Sequence, residues 1–283
     1  MSSRCPDPRR ALFALALSLS CAAGQAAAPA SAPELRVCAD PANPPLSARD
    51  GSGFENRIAR LVAEDLGMRL SWFWQEQTRG FVRKTMGAGE CDLFVGVPAG
   101  FDKVLPTKPY YRSTYVAVTR RGATPFAGFA PGQLHGRRFG VQLIGNDMAA
   151  SPPGYALATG GAVDKVTGFP VHGDGPAGKR MVDAVAAGSI DVALVWGPQA
   201  GWFARRAEPP LDLAPIRPPA GLPMPFDYAI AMGVRKGDTQ LRDRLDEVLA
   251  RRKADIDAIL DDYAVPRADG HPLVGAALVG GQP

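Results

Sequence analysis

Three histidines and four cysteines are all that the 283 residues hold of the commonest transition-metal ligands. His135, His172 and His271 stand apart from one another, with no H-x-x-x-H spacing, so no zinc-type site is expected. There is no D-x-D-x-D-G loop for calcium or a lanthanide, and Asp261-Asp262 reads as the solvated end of a helix. Neither a G-x-S-x-G turn nor a Cys–His pairing supplies a nucleophile. No Lys/Arg block interleaves with aromatics, which argues against nucleic acid as a partner. Beyond the first residues no apolar run approaches the roughly 20 residues that a membrane helix needs, so no membrane insertion is expected.

The N-terminus explains part of the composition. Arg4, Arg9 and Arg10 precede a short apolar run over residues 11–19, and small residues fill 22–28. This is the pattern of a secretory signal peptide over residues 1–27, cleaved near Ala26 or Ala27. Cys21 sits behind Ser18-Leu19-Ser20, a poor lipobox, so free export is expected rather than lipidation. Taking the three Arg and one Asp of this leader from a net charge of +4 leaves about +2. Cys5 and Cys21 leave with it, and Cys38 and Cys91 remain. Two cysteines in an oxidising compartment usually pair, and both lie at corresponding ends of expected neighbouring strands, LRVCAD and CDLFVGV. A structural disulfide is the expectation, with two buried thiols as the other reading.

Strands and helices alternate along the remainder, which predicts an α/β fold with a mainly parallel sheet. A strand over 35–39 ends in the turn-rich DPANPPLS. Phe54, Ile58, Leu61, Val62 and Leu66 have the spacing of an amphipathic helix that Gly67 closes. Strands follow at 70–74 and 92–97, with a short helix at 81–86 between them, and YRSTYVAVTRR reads as one more strand. A second unit repeats the pattern, with strands at 138–142, 165–169 and 190–195 and helices near 155–159, 179–187 and from Pro198. A Pro-rich connection, PIRPPAGLPMPF, leads to the strand in DYAIAMGVRKGD. Asp238 then caps a helix running to about Asp262. The last residues, 266–283, read as a loosely held tail.

This order carries a family resemblance. G-F-E at a helix start, AGECDLFVGVP, KPYY, GRRFGVQ, AAGSIDVALVWG and AIAMGVRKGD together resemble the family 3 solute-binding proteins of ABC transporters, from Glu34 to about Val265. The resemblance implies a two-lobed periplasmic binding protein type II fold with two hinge crossings. Residues 34–119 plus 227–265 would form one lobe and 120–226 the other. A narrower likeness rests on CADPANPPLS, GFENRIARLVAEDLG, TRGFVRKTM, VPAGFD with KPYYRS, and DVALVWGPQAGWFA. These resemble the quinoprotein-dehydrogenase-associated substrate-binding proteins, the J-type accessories of methanol dehydrogenase operons. That likeness implies a periplasmic protein serving a PQQ-dependent alcohol dehydrogenase, or its cytochrome c, in maturation or activation. The dehydrogenase, not this chain, would then carry PQQ and its metal ion, so no cofactor is expected here.

Two departures from the family bear on ligand choice. Amino-acid receptors of the family carry an Arg that clamps the ligand carboxylate, and the resemblance places Gly100 there. They also carry an Asp that takes the amino group, and Trp196 stands in its place. A zwitterion would leave both charges unpaired in a desolvated cleft, so a common amino acid is not the expected ligand. Cyclic-acid dehydratases share the fold, but they need the same carboxylate clamp, and no catalytic residue is assigned.

The cleft candidates each have a structural alternative. Asp40 follows the first strand, where α/β sheets place ligands, or caps the turn before Pro41. Arg79 and Phe81 sit at a loop-to-helix junction suited to anions, or Arg79 pairs with a surface carboxylate. Asp102, Tyr110 and Tyr111 line a lobe wall, or the tyrosines pack the core. Asn146 and Asp147 occupy the loop where relatives bind an anion, though a carboxylate there repels one. Trp196 and Trp202 form an aromatic wall or belong to the core. Two functions follow: an accessory that binds a segment of the dehydrogenase, or a transport receptor for a small molecule other than an amino acid.

Overall fold

The computed structural model describes residues 32–144, 149–171 and 173–268. The signal-peptide reading, Asn146, Asp147, His172, His271 and most of the C-terminal tail lie outside them.

The chain begins with β1 (Glu34–Ala39), a small hairpin of β2 (Ala42–Asn43) and β3 (Ser47–Ala48), α1 (Phe54–Asp65) and β4 (Arg69–Trp74). Next come α2 (Phe81–Lys84), β5 (Leu93–Pro98), β6 (Leu105–Pro106) and β7 (Tyr111–Arg120). The middle of the chain holds α3 (Pro131–Leu134), β8 (Phe139–Ile144), β9 (Ala149–Ala150), α4 (Pro152–Thr159) and β10 (Val166–Pro170). It continues with α5 (Ala177–Ala186), β11 (Val192–Trp196), α6 (Gly197–Ala204) and β12 (Leu211–Pro215). The last elements are β13 (Asp227–Val234), α7 (Thr239–Arg251) and α8 (Lys253–Asp262).

The helix α1 forms where its periodicity predicts, burying Phe54, Ile58, Ala59, Val62 and Ala63 against the sheet. Its start is held by Asn56, whose Oδ1 accepts the backbone N–H groups of Gly53 and Ala48 at 3.1 and 3.0 Å. Gly53 must lack a side chain, because a Cβ there would lie 2.2 Å from the Leu46 carbonyl oxygen. Asp238 caps α7 as expected, accepting the Leu241 N–H at 3.0 Å.

The main sheet runs in the order β10-β8-β11-β7-β13-β5-β1-β4. Towards its two ends the long strands are parallel: β1 pairs with β4 and β5, and β8 pairs with β10 and β11, with the short β9 antiparallel on β8. The expectation of a mainly parallel sheet fails at the centre. There β7 and β13 run antiparallel to each other and to β11, β12, β5 and β6. The reason is topological: β7 carries the chain out of the first set of strands and β13 brings it back. Residues 111–114 of β7 pair with 227–230 of β13, while residues 115–120 pair with β11 and β12. The switch falls at Thr114 and Tyr115.

Two further differences are local. The strand β12 lies just before the Pro-rich connection, where its edge pairing with β7 supplies the hydrogen bonds that its short pattern did not announce. The helix expected to run to Asp262 breaks at Arg252, whose backbone leaves the helical region (φ −102°, ψ 20°). The Arg252 guanidinium bonds Asp255 at 2.6 Å and Asp65 of α1 at 3.4 Å, an anchor far away in sequence. No helix among the described residues is long and apolar enough to cross a membrane.

Candidate functional site

The ends of β1 and β5 open into a cavity of about 180 Å³, the position where open α/β sheets receive ligands. Asp40 follows β1 and sits in its wall. Both of its oxygens are engaged: Oδ1 accepts the Ala42 N–H and Oδ2 the Gln77 N–H, each at 2.8 Å. Asp40 therefore caps the turn and also stands in the cavity wall. Phe81 lines the cavity as well, its ring 5.4 Å from that of Phe94. Beneath them Cys38 and Cys91 form a disulfide with Cα atoms 5.5 Å apart, fastening the end of β1 to the segment leading into β5.

The floor of the cavity holds a residue that the sequence reading passed over. Glu55, in the first turn of α1, directs its carboxyl towards Gly96 of β5. A Cβ on Gly96 would lie 2.2 Å from Glu55 Oε1, so a side chain there would displace the carboxyl. Burial pushes the Glu55 carboxyl up to about 8. Behind it Tyr110 and Tyr111 are 3% and 5% exposed, and Tyr110 donates its hydroxyl to the Val95 carbonyl at 3.0 Å. Burial holds both phenols well above their ordinary range, and the neighbouring Glu55 charge adds to it. The two tyrosines belong to the core behind the cavity.

The other candidates lie elsewhere. Arg79 is exposed and outside the lining. Asp102 is exposed beside Lys103, 3.6 Å away. Gly100 is exposed, with nothing within 4 Å of where its Cβ would stand. Space for an Arg exists there, but the side chain does not. Trp196 caps α6 and packs its ring against Tyr115 at 5.3 Å and Tyr228 at 5.8 Å, beside the two crossing strands. Trp202 stacks on Tyr263. From α6, Gln199 reaches the β2 hairpin, its Nε2 donating to Asn43 Oδ1 at 3.4 Å, while its own Oε1 is buried without a partner.

Glu55 had a sequence signal of sorts. G-F-E marks the family, but an acidic residue in a first helical turn ordinarily faces water. Gly96 inside an apolar strand was the better sign, since an isolated strand glycine often marks a close approach.

The sequence profile of the bacterial extracellular solute-binding proteins, family 3, matches residues 35–265. The chain belongs to that family. Among its relatives, protein MoxJ of Methylorubrum extorquens is 34% identical, over 89% of this chain and 91% of that protein. Protein MoxJ of Paracoccus denitrificans is 31% identical, over 87% of this chain and 95% of its own. The crystal structure of the periplasmic binding protein XoxJ from Methylobacterium extorquens AM1 superposes with a TM-score of 0.68 at 36% identity, covering 82% of this chain and 98% of that one. The family 3 architecture expected from the sequence is therefore the one observed.

Proposed function

We propose that this family 3 protein is a periplasmic accessory of a PQQ-dependent alcohol dehydrogenase of the methanol-oxidising kind. In this reading it acts as a binding protein rather than as an enzyme, engaging the dehydrogenase, its cytochrome c or a segment of either during maturation or activation. The similarity to MoxJ along nearly the whole chain carries the reading. The site supports it. The Arg position is the exposed Gly100, and the Asp position is Trp196, packed into a cluster of rings. A family 3 cleft without its zwitterion clamps is suited to another kind of occupant. The lobes of this proposal are 34–119 with 227–265, and 120–226, closing about β7 and β13. PQQ and its metal ion stay with the dehydrogenase.

A deletion strain tests the proposal. Dye-linked alcohol dehydrogenase activity or PQQ occupancy of the enzyme should fall without loss of amino-acid uptake. Normal activity with full occupancy would overturn it and favour a transport receptor.

A further inference from the structure

Most arginines of residues 34–119 are held by a partner. Arg36 pairs with Asp92, Arg57 with Asp262, Arg69 with Glu34 and Arg112 with Asp227. Arg49 lies over the Trp74 ring, and Arg60 donates to the Gly51 carbonyl. Arg79 and Arg83 are the exceptions. Both are exposed, and with the exposed Lys84 they make no side-chain hydrogen bond, ion pair or ring contact among the described residues. Glu76 and Glu90, the nearest acids in sequence, pair with none of them.

These cations belong to one short stretch. Gly80, at φ +83°, leads into α2, and a Cβ built on it would lie 3.4 Å from Arg83 Nη2 and 3.8 Å from Lys84 Cε. Both side chains therefore fold back over the glycine that Arg79 precedes. Phe81 and Val82 of α2 line the cavity, while Arg83 and Lys84 stand on its exposed side. Cations in a last turn offset a helix dipole, but α2 has only four residues and Arg79 lies at the opposite end, where a cation is unfavourable.

We propose that Arg79, Arg83 and Lys84 form a docking surface for a carboxylate-rich segment of a partner protein. Each guanidinium can take a carboxylate through two parallel hydrogen bonds, and the ammonium adds a point charge beside them. The like charges repel one another in the free protein, and carboxylates placed among them relieve that. The size of the cluster points to a protein. Anionic membranes are held by clusters of about four to eight cations, and duplex nucleic acid by longer basic tracks. Arginine is also enriched where proteins meet one another. The surface rests on this charge pattern and not on the dehydrogenase reading, so a deletion strain with normal alcohol oxidation would leave it standing.

Titration of the purified chain with a hexaglutamate peptide at low ionic strength tests the surface. The variant Arg79→Gln/Arg83→Gln/Lys84→Gln removes it. A matched control, Arg205→Gln/Arg217→Gln/Lys236→Gln, lowers the net charge equally through cations that are likewise exposed and unbonded but come from separate segments. Both variants should melt with the parent, since none of these side chains holds another part of the fold. Peptide affinity should fall at least about fivefold in the first variant and less than about twofold in the control. Added salt should weaken binding to the parent. No peptide binding, equal losses in the two variants, or binding insensitive to salt would overturn the proposal. So would a loss confined to phosphatidylglycerol vesicles or to a duplex oligonucleotide, which would make the partner a membrane or a nucleic acid.

Discussion

Trp202 of α6 stacks on Tyr263 at the end of α8, with ring centroids 4.6 Å apart and planes 18° from parallel. The stack is extended at both ends by arginine: Arg206 lies over Trp202 at 3.3 Å and Arg57 over Tyr263 at 5.7 Å. Beside it the chain backbones nearly touch, since a Cβ on Gly201 would overlap the Ala264 carbonyl oxygen. This column ties α6, which follows β11, to α1 and α8 on the far side of the crossing strands. Trp202→Ala removes the central ring and leaves Arg206 without its platform. It should cost about 2–3 kcal/mol of unfolding free energy in a urea melt, below the value for a fully buried tryptophan because Trp202 is partly exposed. A loss under about 0.5 kcal/mol would show that the stack is incidental.

The Cys38–Cys91 bridge spans 53 positions. Closing a loop of that length is worth up to about 4 kcal/mol on chain-entropy grounds. A thiol titration of the denatured, unreduced mature protein should find no free thiol, and the double Cys→Ser variant should lose about 2–4 kcal/mol. Two titratable thiols would contradict the pairing.

Glu55 predicts how stability varies with pH. Its folded-state value, about 8, lies above the ordinary carboxylate range near 4.5. Between those limits the unfolded chain releases a proton that the folded chain keeps, so the native state is progressively penalised as pH rises. Glu55→Gln should therefore gain stability relative to the parent from pH 5 towards pH 8, after which the difference should be constant. A difference that stays flat across this window would mean that Glu55 titrates normally.

Amino acids should not bind. Arginine, glutamine, glutamate and cystine each need an anchor for the α-carboxylate, and Gly100 supplies none while the cavity lining holds two carboxyls and no Lys, Arg or His. Calorimetry should show no micromolar binding, and such an affinity for any of the four would refute the argument.

Much of the fold was legible because it is written in short-range pattern. The spacing of Phe54, Ile58 and Val62 announced α1, and Asp238 marked the start of α7 because a cap acts on the next few residues. The break at Arg252 was not legible, because Asp65, one of the groups that its guanidinium holds, lies in α1. The same limit hid part of the site. Asp40 and Phe81, chosen for their places at a strand end and a helix start, line the cavity, whereas Arg79 and Asp102 share such places yet stand outside it.

The sequence by itself determined most of the segments that become strands and helices, the face that α1 buries, and that the order of elements is that of a family 3 binding protein. It also carried the departures at Gly100 and Trp196, since a missing charge needs no coordinates to be noticed. Tertiary structure decided what surrounds Glu55. Its carboxyl lies where α1 meets β5 and β7, half-buried and with no cation in the cavity lining, and that burial pushes its pKa up. Desolvation depends on every neighbour within a few ångströms, and those neighbours come from segments about 40 and 55 residues further along the chain. Local pattern encodes which residues face inward, and only the packed molecule sets what they face.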